Sequence, residues 1–338
     1  MADRPRYTVA QLSQFYERIA LPKDKWLYSV SSLSGKEKYD LLDLLVRHTL
    51  LRIPFENLTL HYSWHRTINV RPQHLFNKIV RAPSRRGGYC MENNSLFHTV
   101  LLSLGFKAYM AGARVYDEEH DRYGGFSHCV NIVVIDGEKW MVDVGFGANG
   151  PTFPVLLSEH KPQSNPPCDD LVETRLVREP IPQAVDQEQR LWIYQHRLGP
   201  GEEWTPMYCF VDFEFLLEDI RGMNLSPWKS PHSWFTQKVV LVRFTMAWER
   251  DALLDTQSGK DTYASDEAFG VVFIDGVLIL LQDSLKWRSG GKIHWQIRFK
   301  DEEQRVQAIK KYFGIELDEE DRAAIIGTIG GLDKRRMS

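Results

Sequence analysis

Cysteine is scarce in this chain: Cys90, Cys129, Cys168 and Cys209 are the only four in 338 residues. They are too few and too scattered for a disulfide framework. No pair has C-x-x-C spacing, and no cluster of His and Cys has the spacing of metal ligands, so no metal is expected. An excess of positive charge is also missing. Lys and Arg number 42 against 45 Asp and Glu, which leaves no basic field to hold a phosphate backbone and excludes nucleic acid as an expected partner. No window approaches the roughly 20 apolar residues of a membrane span. The start, "MADRPRYTVA", carries charges with no apolar run behind them, unlike a secretory signal. No membrane partner and a reducing, cytoplasmic location are therefore expected. Neither G-x-x-x-x-G-K-[ST] nor a dinucleotide fingerprint occurs, so neither ATP nor NAD is implied. Internal repeats and heptads are absent too, and the tail "DKRRMS" reads as a solvated end. What is present is ample core material, 43% hydrophobic with 12% aromatic, in a length that suits two or three modest domains.

The first third reads helical. Thr8 with Gln11, and Ser34 with Glu37, are capping-box pairs ahead of apolar periodicity. Pro72 suits a first helical position before Leu75, Phe76, Ile79 and Val80. Another helical pattern opens at Cys90 and closes near Gly105. The period then changes to two, through "AYMAGARVY" and a hairpin from Cys129 to Val144 turning on Asp136-Gly137. Ser158 to Gln189 is polar and proline-rich and reads as an inserted surface excursion. Strands return in "KVVLVRF", in a second Asp-Gly hairpin in "VVFIDGVLILL", and in "IHWQIRF". A helix from about Asp301 carries Val306, Ile309, Tyr312 and Phe313.

The stretch "RRGGYCMENN" places a thiol, Cys90, on the first turn of a helix behind two glycines. A free cysteine is most often a small buried hydrophobe. At a helix start, however, the macrodipole and free N–H groups favour a thiolate nucleophile. Such a nucleophile needs a base, and the base an orienting partner. The hairpin supplies candidates. With a two-residue loop Ile135 pairs with Glu138, and Val130 falls opposite Asp143. His128 then shares a face with Val130, one diagonal step from Asp143 and within reach of it. Asp143 sits among Trp140, Met141, Val142 and Val144, where a carboxylate is unfavourable unless paired. Cys129 points to the opposite face and reads as core. "GGFSH", Gly124 to His128, reads as a flexible glycine loop beside the base.

These residues resemble the arylamine N-acetyltransferases. The chain carries "RIPFENL", "RRGGYCMENN", "GGFSHCVNIVV", "WMVDVGFG" and "SPHSWF" in that family's order, over roughly residues 8–315. The resemblance implies an α+β fold with a cysteine-protease-like Cys-His-Asp core. A helical bundle would span 1–105 and a central antiparallel β-barrel 106–215, with the polar insertion near 158–190. A C-terminal α/β lid would span 216–338. It implies Cys90 as acyl acceptor, His128 as base and Asp143 as the group holding the imidazole. Gly124, Gly125, Phe126, Ser127, Tyr208, Ser230 and Ser233 would lie near coenzyme A, and Phe126 would also wall an amine pocket. The expected function is an acyl-coenzyme A:arylamine N-acyltransferase. It would move acetyl or another short acyl group to an aromatic amine or hydrazine through an acyl-Cys90 intermediate. The excursions near 158–190 and 248–268 look longer than the compact bacterial pattern, and with "CMEN" after the glycines the chain looks most similar to the fungal members, which use more than one acyl-coenzyme A. A Cys-His-Asp amidase or a transglutaminase-like enzyme would share the same residues in the same order. A non-catalytic acyl-coenzyme A binder is disfavoured by the intact set.

Overall fold

A computed structural model describes residues 4–164, 172–199, 201–254 and 273–332. Helices α1 (Val9–Arg18) and α2 (Gly35–Arg52) both begin with the reciprocal capping boxes expected at Thr8 and Ser34. Short α3 (Pro72–Leu75) starts on its proline and runs into a π-helical turn, Phe76–Arg81. Helix α4 (Cys90–Leu104) ends where Gly105 takes φ of 88°. Between α2 and α3 lies a two-residue strand, β1 (Phe55–Glu56).

The middle of the chain forms β2 (Lys107–Asp117), β3 (Arg122–Ile135), β4 (Glu138–Val142), β5 (Val155–Leu156), β6 (Gln163–Ser164), β7 (Glu173–Glu179), β8 (Leu191–Arg197) and β9 (Thr205–Phe210). They join antiparallel in the order β5-β4-β3-β2-β9-β8-β7-β6. The two edges meet, because Gln163 on β6 bonds both the N–H and the carbonyl of Leu156 on β5, at 2.9 and 3.0 Å. The sheet is thereby a nearly closed barrel with Val130, Ile132, Met141, Leu176 and Tyr208 in its interior. The excursion beginning at Ser158 is thus only partly surface, since β7 is a full strand of the barrel. Leu176 packs into the interior and Val177 into a cluster on the other face, so both sides are buried and no alternation marked it. Residues 165–171, with Cys168, lie outside the described residues. "GGFSH" is likewise part of β3, not a loop.

The last part comprises α5 (Leu217–Lys229), α6 (Trp234–Gln237), β10 (Val240–Met246), α7 (Arg250–Leu254), β11 (Ile274–Leu281), β12 (Ser284–Ser289), β13 (Lys292–Arg298), α8 (Glu302–Phe313) and α9 (Glu319–Ala324). The expected second Asp-Gly hairpin does not form at Asp275-Gly276, which lie inside β11. The turn is at Gln282-Asp283, between the paired Leu281 and Ser284. Gly276 is required for space: a Cβ there would sit 2.8 Å from the Trp287 indole nitrogen and 2.9 Å from the Arg288 carbonyl. Past Leu254, the excursion near 248–268 lies outside the described residues, as does the tail from Asp333.

The five-stranded C-terminal sheet has the order β1-β10-β11-β12-β13, so a strand from the helical third forms its edge. One apolar core accordingly runs from Phe15 and Leu45 through Phe97 to Val242 and Phe244. Charge is buried at the same junction. Glu56 on β1, fully buried, takes two bonds from Arg86, at 2.9 and 3.1 Å, and one from the Leu58 N–H at 2.6 Å. Lys78 lies 3.7 Å from Glu56 and 2.7 Å from the buried Glu92. Glu56→Gln would remove the carboxylate that Arg86 bonds directly. It is expected to destabilise the fold by about 3–5 kcal/mol in urea titrations, and a loss under about 1 kcal/mol would show that the cluster is not structural.

Candidate active site

Helix α4 is held at its first turn from several sides. Glu92, at its third position, reaches back to accept the Tyr89 N–H at 3.2 Å, while Lys78 neutralises its charge. Neither Gly87 nor Gly88 has a positive φ; they serve close approach, for a Cβ on Gly87 would meet the Pro54 carbonyl oxygen and one on Gly88 the Glu92 side chain. Gly145 performs the same service from the barrel side, where a Cβ would lie 2.9 Å from the Cys90 Cα. The helix start and the segment after β4 are therefore in backbone contact. Cys90 is only 3% exposed, and its thiol faces the Ser127 carbonyl at 3.6 Å.

The Asp136-Gly137 turn has the expected two-residue form, with both φ values positive and Ile135 paired with Glu138. The ladder runs to Asn131 opposite Val142, which sets the register that places His128 and Asp143 on one face. His128 Nε2 lies 2.7 Å from Asp143 Oδ2, and both residues are buried. The other carboxylate oxygen accepts from Asn94 Nδ2 and from the Gly145 N–H, each at 2.9 Å. Burial alone would push the imidazole toward neutrality. The Asp143 charge and hydrogen bond, with the nearby Cys90, outweigh it and raise His128 to about 10. For Asp143 burial again opposes the charged form, but His128, Asn94 and Gly145 hold the carboxyl below its usual range. With Nε2 engaged, Nδ1 is the nitrogen left for the thiol; it is buried and has no other hydrogen-bond partner.

A β-bulge aims the pair. Ala113 pairs with His128 and Arg114 with Phe126, so Ser127 is the extra residue on β3. Ser127 and His128 consequently both line a cavity of about 380 Å³ with Cys90 at its wall. Around them stand Phe55, Val115, Phe146, Trp234, Phe235 and Val242. The residues expected near coenzyme A are divided by the structure. Gly124, Gly125 and Phe126 line a separate, larger cleft, where Arg114 stacks over the Phe126 ring at 4.0 Å. Tyr208 is fully buried behind the imidazole, its ring 5.0 Å from that of His128, so it backs the base and does not face an open site. Ser230 ends α5, and Ser233 caps α6 by accepting the Phe235 N–H, so these serines set the turn that presents Trp234 and Phe235 to the cavity.

Cys129 and Cys209 are buried, and burial pushes both thiols upward, Cys209 to about 12. Among the described residues, sequence reasoning missed Asn94. Its spacing of four from Cys90, on the same helix face, was the available signal. Phe146, whose ring stands 5.2 Å from that of His128, was quoted only inside a motif.

The site brings a buried cysteine, a histidine and an aspartate together on a helix-plus-barrel scaffold. A family described as N-acetyltransferase matches residues 39–267, and the chain belongs to it, the arylamine N-acetyltransferase family of acyltransferases. It is 31% identical to the N-malonyltransferase FDB2 of Fusarium pseudograminearum, over 94% of this chain and 92% of that protein. The arylamine N-acetyltransferase of Mycobacterium abscessus superimposes with a TM-score of 0.71 at 24% identity, covering 94% of each chain. That of Mycobacterium marinum, solved in complex with CoA, does so with 0.68 at 22%, covering 93% of this chain and 98% of the other.

The raised His128 fixes a direction for pH dependence. A histidine at 6.5 when unfolded and about 10 when folded contributes stability in full below pH 6.5, and loses it as pH climbs through 10. Urea midpoints of the wild type should fall between pH 7 and 9.5, and those of Asp143→Asn should change much less. Parallel profiles for the two proteins would refute the coupled pair.

Proposed function

We propose that the protein is an acyl-coenzyme A:arylamine N-acyltransferase working through an acyl-Cys90 intermediate. The observation that carries this is the 2.7 Å His128–Asp143 bond, with the second imidazole nitrogen left to Cys90 at a helix start. Cys90, as thiolate beside the imidazolium, attacks the thioester carbonyl. The developing oxyanion meets the Cys90 N–H on the first helical turn. The carbon–sulfur bond to coenzyme A breaks, and its thiolate takes the His128 proton. An aromatic amine or hydrazine then attacks the acyl-cysteine. Neutral His128 removes the amine's proton, and the amide leaves as Cys90 is restored. Asp143 holds the imidazole and stabilises its cation. Coenzyme A would lie along Ser127 and the Ser230–Ser233 turn, and Gly124 to Phe126 would border its outer part. The free thiols among the described residues suit a reducing, cytoplasmic setting.

The acyl group we assign to the donor is a short uncharged one, acetyl first. The described residues lining the cavity beside Cys90 include no Lys or Arg, and they are overwhelmingly apolar. A malonyl carboxylate would be desolvated there beside an imidazolium already paired with Asp143, an arrangement that is strongly unfavourable. Intact-protein mass after exposure to acetyl-, propionyl- and malonyl-coenzyme A tests both parts. The wild type is expected to gain one acetyl or propionyl group and Cys90→Ser none, while malonyl loading should be slower by tenfold or more. Faster malonyl loading would overturn the donor assignment, and acylation surviving in Cys90→Ser would overturn the mechanism. Asp143→Asn should reduce turnover by about 10²–10⁴-fold.

A further inference from the structure

A second cavity, of about 100 Å³, lies where the barrel meets the C-terminal sheet, and none of the proposed chemistry uses it. An arginine and a histidine are among the residues that line it. Arg288, from β12, is largely buried, and its Nη2 donates to the Ala148 carbonyl at 2.9 Å and the Asn149 side-chain oxygen at 2.8 Å. Both acceptors are neutral, and no carboxylate pairs with Arg288 among the described residues. Burial accordingly lowers the guanidinium from its usual value, with no acid offsetting it. His196, from β8, is 8% exposed, and its Nδ1 is buried without a hydrogen-bond partner. Burial, with Arg288 adding to it, pushes His196 down to about 4, so it is neutral at physiological pH. Asp275, the one carboxylate among the described lining residues, is already paired with Arg250 at 2.8 Å. The remaining wall is substantially apolar, including Phe153, Phe244 and Val277.

A partly buried cation with no counter-charge among the described residues, beside a histidine whose buried Nδ1 has no partner, is an unfinished electrostatic arrangement. We propose that this cavity binds a small organic carboxylate, with its charge on Arg288, a hydrogen bond from His196, and its alkyl end against the phenylalanines. With Asp275 held by Arg250, Arg288 is the one lining cation left without a carboxylate among the described residues, which calls for a monoanion. The volume suits two to four carbons, and the apolar wall disfavours inorganic phosphate, which would be desolvated on every side. Ala148 lines both this cavity and the one beside Cys90, so the occupant would sit next to the acyl site on the far side of one loop.

Sodium propionate is the probe, titrated at constant ionic strength and followed by melting temperature. Propionamide serves as the uncharged isostere and inorganic phosphate as the other anion. A saturable rise with propionate is expected, at millimolar half-saturation, with none for propionamide and a smaller one for phosphate. Arg288→Gln and His196→Phe should each weaken the response tenfold or more, and His196→Phe alone decides the matter should Arg288→Gln not fold. No saturable rise, an equal rise with propionamide, a stronger one with phosphate, or a response unchanged in the folded variants would each overturn the proposal. Acylation of Cys90 is read separately, so its failure would bear on the mechanism and not on this site.

Discussion

The amide of Asn94 is where the two halves of the site are joined. Its nitrogen donates to the Asp143 carboxylate and, at 2.8 Å, to the Cys129 carbonyl, while its oxygen accepts the Val144 N–H at 3.0 Å. A helix and a hairpin are thus stitched together by one side chain whose donors and acceptor are all committed. Asn131 adds a return bond to the Asn94 carbonyl at 3.1 Å. Buried polar networks of this kind are stabilising only when every member is satisfied, and then they specify a single arrangement. That arrangement is what brings a thiol from the helical third to an imidazole from the barrel. Without it, α4 would be tied to the sheet chiefly by apolar contacts and by the His98–Asn131 bond at 2.8 Å.

The electrostatics of the pair follow from the same enclosure. Burial works against both charges, yet the imidazole and the carboxylate each remain in the ionised form because each is the other's strongest neighbour. Three aromatic rings shape the surroundings: Phe146 and Tyr208 lie against the imidazole, and Tyr194 stacks on Tyr208 at 5.0 Å. They exclude water from one side and leave the other to the cavity. The enclosure that Asp143 must overcome to keep the imidazole charged also fixes the direction from which a substrate can arrive.

Much of this was legible in the sequence. The capping boxes, the helix start at Cys90 and the Asp136-Gly137 turn are local signals, and the hairpin register follows from the turn alone. What was hidden depends on contacts that no window contains. Strand β7 is buried on both faces and so lacks alternation. Asp275-Gly276 carries the strongest turn dipeptide, yet it stays extended because Trp287 occupies the space beside it. The bulge at Ser127, which turns an apparent glycine loop into a strand with two neighbouring residues facing one cavity, depends on pairing with β2. Tyr208 matched a family position, but its depth behind His128 follows from the closure of the barrel.

Strand β1 joins residues that are far apart in time as well as in sequence. Phe55 pairs with Val242, and Asn57 holds the Val240 N–H at 2.9 Å. On a ribosome adding about 5–20 residues per second, β10 emerges on the order of ten to forty seconds after β1. Through that interval the nascent helical third carries Glu56 and Arg86 without their final cover, and the thiol of Cys90 lacks part of its cavity wall. The centre that forms the acyl bond is therefore completed late, by the last third of the chain closing over the first. A truncated nascent chain would hold a cysteine helix without a finished pocket.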